Sequence, residues 1–479
     1  MTQDDLCYLD LIDIGRRIRS RQVSCVEVTR ALLDRISQLD GQLRSYATIT
    51  PQMALQRAEE IDLEIARGLD RGPLHGVPIA VKDLFYTKGI ATAAGMTIYK
   101  NFVPERDATV VSRLREAGAV LLGKLQMTEG AFSAHHPSIE PPVNPWSAAH
   151  WTGVSSSGSG VATASGLCYG SLGTDTLGSI RFPSTMNGVT GLKPTWGRVS
   201  RAGVFALAES MDHVGPMTRT AADAAAMLGV IAGPDGDDST ALQDPVPDYL
   251  ADIDAGMRGV RIGADRAFIA AGADQEMVRV VEDACTVFAR LGAELLNIVF
   301  PSVDQVVRDA VMLSAVEAAV AHEASFPARA SEYGPILAGH LQSGRTVEGP
   351  ALAKLLQRRA AFRGELAALF REIDLLLMPA MNNAAPTLAS MIEYMNDPEA
   401  RYARIRFTAP FDMSSSPSLT LPGGATEQGL PVGFQIVGRH LEEGLVLRAG
   451  HAFQQATQWH RRHPILAGQE TPVPRGWST

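Results

Sequence analysis

Cysteine is scarce in this chain, four in 479 residues, and Cys7, Cys25, Cys168 and Cys285 lie far apart with no CxxC pair. That scatter argues against a disulfide framework and a thiolate metal site, and reads as reduced core thiols of a cytoplasmic protein. Also missing is an apolar run that could cross a bilayer; "AADAAAMLGVIAG" (221–233) is among the most apolar stretches and is too short. The opening "MTQDDLCYLDLIDIGRR" is acidic before it is apolar, the reverse of a secretory leader. Basic residues are outnumbered, 43 Lys+Arg against 52 Asp+Glu, for a net charge of −9. No basic run carries interleaved aromatics, so neither nucleic acid nor an anionic membrane is an expected partner. There is no fixed-period repeat and no low-complexity tract.

What is present is an ordinary globular composition, 46% hydrophobic and 20% charged, enough for a sizeable core. Ser24 and Glu27 form a capping box ahead of Val28, Leu32, Ile36 and Leu39 on one helical face. A second helix is expected over Pro51–Arg67. Short apolar runs then alternate with helical patterns. "GVPIAVKDLF" (76–85), "AVLLGKLQ" (119–126), "GVRIGAD", "IDLLLMPA" (373–380) and "GLPVGFQIVG" (429–438) read as buried strands, which predicts an α/β protein. The Gly-, Asp- and Pro-rich "AGPDGDDSTALQDPVPDY" (232–249) reads as a long surface loop in preference to a domain linker. Residues 301–372 are helix-rich and carry no obvious motif, and 465–479 read as a weakly ordered tail.

Two glycine-rich turns carry the chemistry-bearing residues, "TGVSSSGSGVATASG" (152–166) and "GTDTLGSIRFP" (173–183). The first runs directly into Val161, Ala162 and Ala164, so it is the buried start of a helix more readily than a linker. It lacks the lysine of a P-loop and the acidic partner of a dinucleotide site. Ser155, Ser156 and Ser179 do not fit the G-x-S-x-G elbow. His213 in "SMDHVGPM" is a lone loop histidine, and such residues are more often structural than catalytic. The adjacent His135 and His136 point different ways and have no third ligand, so no metal is expected. Lys82 is the remaining candidate. Flanked by "PIAV" and Leu84–Phe85, it is paired with Asp83, snorkels out to solvent, or is deprived of charge by burial, and an uncharged lysine can activate a serine without histidine.

Taken together, "GVPIAVKD", "GVSSSGSG", "GTDTLGSIRFP", "GLKPTWGRVS" and "GLPVGFQIVGR" resemble the amidase signature family of serine hydrolases over nearly the whole chain. The resemblance implies one domain over 1–479, with core motifs at 76–220 and a helix-rich insertion at about 301–372. It also implies a large mixed, mostly buried central sheet covered by helices on both faces. It places the family's catalytic lysine at Lys82, its bridging serine, after a cis peptide bond, at Ser155, and its nucleophile at Ser179. The two serines are 24 residues apart, as in the family. Backbone N–H groups of Thr176, Leu177, Gly178 and Ser179 would form the oxyanion hole, braced by Asp175 and Arg181. No cofactor and no metal are implied, and a homodimer is left open.

Three positions depart from the family pattern. Val154 and Ser157 replace glycines around the serine pair. Leu177 replaces a glycine in the oxyanion loop, where a positive φ would be unfavourable for leucine. For the substrate pocket, Met127, Thr128, Phe132, Trp151 and Phe205 are the candidates, and they point to an aryl or apolar amide, anilide or carbamate. The main rival reading is the glutaminase subunit of a tRNA-dependent amidotransferase. That subunit usually carries an unbroken Gly-Gly-Ser-Ser-Gly-Gly motif, and "MDEFAMG" where this chain has "MTEGAFS". A non-catalytic binding protein on the same fold is the third alternative.

Overall fold

A computed structural model describes residues 3–466; most of the expected C-terminal tail, 467–479, lies outside the described residues. Eleven strands form one sheet: β1 (Tyr46–Ile49), β2 (Pro78–Lys82), β3 (Val120–Leu125), β4 (Gly170–Asp175), β5 (Thr190–Lys193) and β6 (His213–Thr218), then β7 (Arg261–Ala264), β8 (Glu294–Asn297), β9 (Leu375–Pro379), β10 (Ser418–Ala425) and β11 (Pro431–Gly438). Their order is β1-β3-β2-β4-β6-β5-β10-β11-β9-β7-β8. β2 runs parallel to both β3 and β4, and β7 to both β8 and β9, whereas the middle of the sheet is antiparallel. The fold is therefore α/β with a mixed sheet. Every residue of β2, β4, β5, β6, β9 and β11 is buried. Alternate side chains of a strand point to opposite faces, so burial at every position means that both faces are covered.

All five apolar runs read from the sequence are strands. Others escaped that reading because their composition is that of turns. β4 is "GSLGTD" and β6 is "HVGPMT", and they pair with each other along their whole length. Small residues are needed where they lie: a Cβ on Gly215 would stand 1.9 Å from the Leu192 carbonyl oxygen.

Locally the N-terminal reading holds. Ser24 and Glu27 exchange capping hydrogen bonds at the start of the helix Cys25–Leu43, and the second helix spans Pro51–Ala66. The glycine-rich segment enters a buried helix, Ser157–Ala164. Gly158 is there for close approach, since a Cβ would sit 2.4 Å from the Ser45 carbonyl oxygen. Residues 232–249 form an extended loop, held by Arg198 donating to the carbonyls of Asp244 and Pro245 at 2.9 and 2.8 Å. Helices Asp304–Ala321, Pro335–Arg345 and Gly349–Leu369 occupy the helix-rich region. No helix among the described residues is long and apolar enough to cross a membrane.

Candidate active site

Lys82 is the last residue of β2 and is fully buried. Its Nζ donates to Ser155 Oγ at 2.6 Å and to Thr174 Oγ1, on the neighbouring β4, at 2.8 Å. Asp83 is not its partner: the Asp83 carboxylate lies 3.2 Å from Lys124 Nζ. Successive residues of an extended chain project to opposite sides, which separates the two neighbours. Burial accordingly pulls the Lys82 ammonium from 10.5 down to about 7, with the negative charges of Asp212 and Asp175 opposing the fall.

Ser155 is fully buried and follows a cis peptide bond from Val154. The next residue ties the two serine turns together, because Ser156 N–H donates to the Ser179 carbonyl at 3.2 Å. Ser179 itself is half-buried, on the loop that leaves β4. Asp175 shapes that loop. Its carboxylate accepts from the N–H groups of Gly178 (2.7 Å), Ile180 (3.0 Å) and Arg181 (3.3 Å), and from Arg181 Nε and Nη2 at 3.0 and 2.8 Å. Arg181 Nη2 also reaches Asp412 Oδ2 at 2.5 Å. Burial alone would raise the Asp175 pKa, but the adjacent Arg181 guanidinium holds the carboxyl well below the usual range.

This geometry corrects the expected oxyanion set at one member. Gly178 N–H is engaged by Asp175, so it faces the brace and not the cleft. Among the described residues, the N–H groups of Thr176, Leu177 and Ser179 donate to no protein group. Leu177 is not strained, because the positive φ of this turn falls on Gly178, at 134°. Its carbonyl accepts from Thr408 Oγ1 at 2.6 Å.

Several participants carried no sequence signal. Asp212 binds Thr176 Oγ1 at 2.6 Å and the N–H groups of Leu207 and Ala208 at 2.8 and 3.1 Å. Burial pushes its pKa up to about 6. Asp412 and Lys193 complete the ionic cluster behind the loop, and both are fully buried. His213 sits in that cluster, 3.2 Å from Lys193 Nζ and 3.3 Å from the Asp175 carbonyl oxygen. Burial and the Lys193 charge hold it neutral, and it bonds to neither serine. His135 faces Ser157 Oγ at 3.1 Å and His136 faces Ser138. Among the described residues no group of three or more His, Cys, Asp or Glu is placed to hold a metal.

Ser179, Thr176, Leu177 and Val154 line a cavity of about 480 Å³. Of the five pocket candidates only Phe132 lines it. Met127 is wholly buried just beyond β3. The Thr128 hydroxyl is taken by the Phe132 carbonyl. Trp151 packs beside Phe182, with ring centroids 6.1 Å apart. Phe205 turns into a separate cavity of about 290 Å³ with Tyr86, Tyr99 and Phe102. Much of the remaining wall comes instead from distant helices, through Val311, Ile336, His340 and Ile405. Their spacing in sequence from the motifs hid them.

Residues 27–447 match the family model Amidase. The chain is similar to the Mycobacterium tuberculosis protein named "Putative amidase AmiD", 48% identical over 97% of each chain. It is 37% identical to a glutamyl-tRNA(Gln) amidotransferase subunit from Geobacter sp. (strain M21), over 96% of this chain and 99% of that one. Among solved structures, the peptide amidase of Stenotrophomonas maltophilia superposes with a TM-score of 0.82 at 31% identity, covering 96% and 98% of the two chains. The chain belongs to the amidase signature family and is an amide hydrolase.

Proposed function

We propose that the protein is a serine amidase that works through an acyl-enzyme, with Ser179 as nucleophile, Ser155 as proton bridge and Lys82 as base. The observation that carries this reading is the 2.6 Å hydrogen bond from a fully buried Lys82 to Ser155 Oγ, with no carboxylate among the described residues paired to the lysine. An ordinary lysine is neutral in about one molecule in 2,500 at pH 7. One with a pKa of about 7 is neutral in a large share of molecules, which is what a general base requires.

Ser179 Oγ attacks the amide carbonyl carbon as its proton passes to Ser155, whose own proton passes to the neutral Lys82 amine. The tetrahedral oxyanion is met by the N–H groups left free on Thr176, Leu177 and Ser179. Collapse breaks the C–N bond, and the leaving nitrogen takes a proton from Lys82 through Ser155. Water then enters by the same relay, the acyl–Ser179 bond breaks, and the acid leaves. Phe132, Phe182, Leu207, Val311, Ile336 and Ile405 give the cavity an apolar wall, which suits an apolar or aryl amide, anilide or carbamate.

Purified protein tested against anilides, primary amides, esters and glutamine should hydrolyse anilides or apolar amides best, and Ser179→Ala should abolish turnover. A fluorophosphonate should add its mass at Ser179. Labelling at another serine alone, or full activity in Ser179→Ala, overturns the assignment.

A further inference from the structure

The cavity that holds Ser179 contains a buried cation with no counter-charge. Arg404 lines it and is 5% exposed. Among the described residues no carboxylate lies within ion-pair distance of Arg404. Its Nε has no hydrogen-bond partner, and Nη1 reaches only the Met391 sulfur, at 3.9 Å. The guanidinium stands 5.4 Å from the centre of the Trp151 ring, a weak compensation for lost water. A second arginine, Arg401, lines the same cavity, also without an ion pair among the described residues. Among the described residues no Asp or Glu lines the cavity, in a chain with nine more acidic than basic side chains. His340, the third titratable group there besides Tyr402, is held neutral by burial, which pulls it down to about 4.

A buried charge left unpaired is costly, and folded proteins nearly always pair it. Among the described residues the other buried guanidinium groups have oxygen acceptors: Arg181 has two carboxylates, Arg35 a carbonyl and a phenol, Arg198 two carbonyls and a phenol, Arg219 three carbonyls, Arg359 two carbonyls and a hydroxyl. Arg404 is the exception, and it faces the reaction cavity. We infer that Arg404 is a specificity-determining residue whose partner is a carboxylate of the substrate, so the preferred amides carry an apolar body ending in an anionic group. The planar guanidinium fork suits a carboxylate in a bidentate pair. The inference rests on the reading of Ser179 and its cavity as the amide-hydrolysing site, and the carboxylate could sit on either the acyl or the amine side of the bond.

Two matched pairs separate these cases. One compares glutaryl para-nitroanilide with its isostere in which isopropyl replaces the carboxylate. The other compares butanoyl para-aminobenzoate with butanoyl para-isopropylaniline. The wild-type protein should prefer the carboxylate member of one pair by about 10- to 100-fold in kcat/KM, mainly through KM, as expected for a charge-assisted pair. The pair that shows it identifies the side. Arg404→Met should collapse the ratio towards one, whereas Arg404→Lys should keep part of it. A purely structural arginine would lower thermal stability on replacement by Met without moving the ratio. Turnover of the neutral members with no preference in either pair overturns the inference and leaves the proposed reaction standing. If no member is turned over, the proposed reaction fails for these amides, and calorimetric binding to Ser179→Ala decides the inference alone: equal affinity for both members of each pair defeats it.

Discussion

Lys82 and Arg181 are both fully buried cations beside the same loop, yet their surroundings are opposite in kind. Among the described residues Lys82 hydrogen-bonds only to hydroxyls, those of Ser155 and Thr174. Arg181 touches two carboxylates, Asp175 and Asp412. Lys124 lies between these extremes, with one hydroxyl and one carboxylate. The series shows how burial is turned to different ends. Without a carboxylate the cation gives up its proton readily; with two it stays charged and fixes a loop. Under the proposed mechanism one end of the site therefore serves as a base and the other as a brace.

The brace should break hardest. Arg181→Met strips the counter-charge from Asp175 and Asp412 at once, and removing one partner of a buried pair costs about 3–5 kcal/mol. Urea unfolding should show a loss of that size, together with lost activity, because Asp175 holds the N–H groups of Gly178, Ile180 and Arg181. A stable, active Arg181→Met would mean that the loop holds its shape without the ion pairs.

Lys82→Met should give the reverse result. Activity should fall by about 10²- to 10⁴-fold, the usual worth of a general base, while the fold survives. The stability change has a definite sign. Folded Lys82 titrates near 7 and an unfolded lysine near 10.5, so between those values the unfolded chain binds more protons and stability rises with pH. Lys82→Met removes that burden. It should therefore gain stability over wild type at pH 7, with the gain shrinking towards pH 10. Lys82→Arg should not rescue turnover, since arginine keeps its proton at working pH. Near-normal rates in Lys82→Arg would reduce Lys82 from a base to an electrostatic prop.

The proposed base was far more legible in the sequence than its setting. Lys82 stood out because a charge ended an apolar strand, and Ser155 and Ser179 because two dense motifs fitted one family register. The α/β class was readable from strands such as β9 and β11, whose apolar runs are continuous. β4 and β6 were missed because the close packing of their backbones selects glycine and threonine, residues that elsewhere mark turns. The cavity was the least legible part. Met127, Thr128, Trp151 and Phe205 are near the motifs in sequence, but strand burial, a local hydroxyl bond, ring packing and a second cavity claim them instead. Arg404, Ile336 and Asp412 lie more than 150 residues after Ser179, and only the tertiary fold brings them to the site.

The smallest expected effect is a shift in the pH profile, and it probes the boundary between base and brace. As pH falls, Lys82 takes up a proton and kcat/KM should decline along an acid limb centred near 7. Asp212 is the foremost charge opposing the fall in the lysine's pKa, and its own carboxyl is ionised above about 6. Asp212→Asn keeps the shape: the amide oxygen can still accept from Leu207 and Ala208, and the Thr176 hydroxyl can turn to accept from the amide nitrogen. Only the charge is lost. With less negative charge nearby, protonated Lys82 is less favoured, so its pKa falls and the acid limb should move to lower pH. The shift should be a fraction of a unit, each full unit corresponding to about 1.4 kcal/mol. It should be clearest above pH 6, where wild-type Asp212 is ionised. A limb that stays in place in a folded Asp212→Asn, or moves to higher pH, would show that Asp212 serves the Thr176 turn and not the charge state of the base.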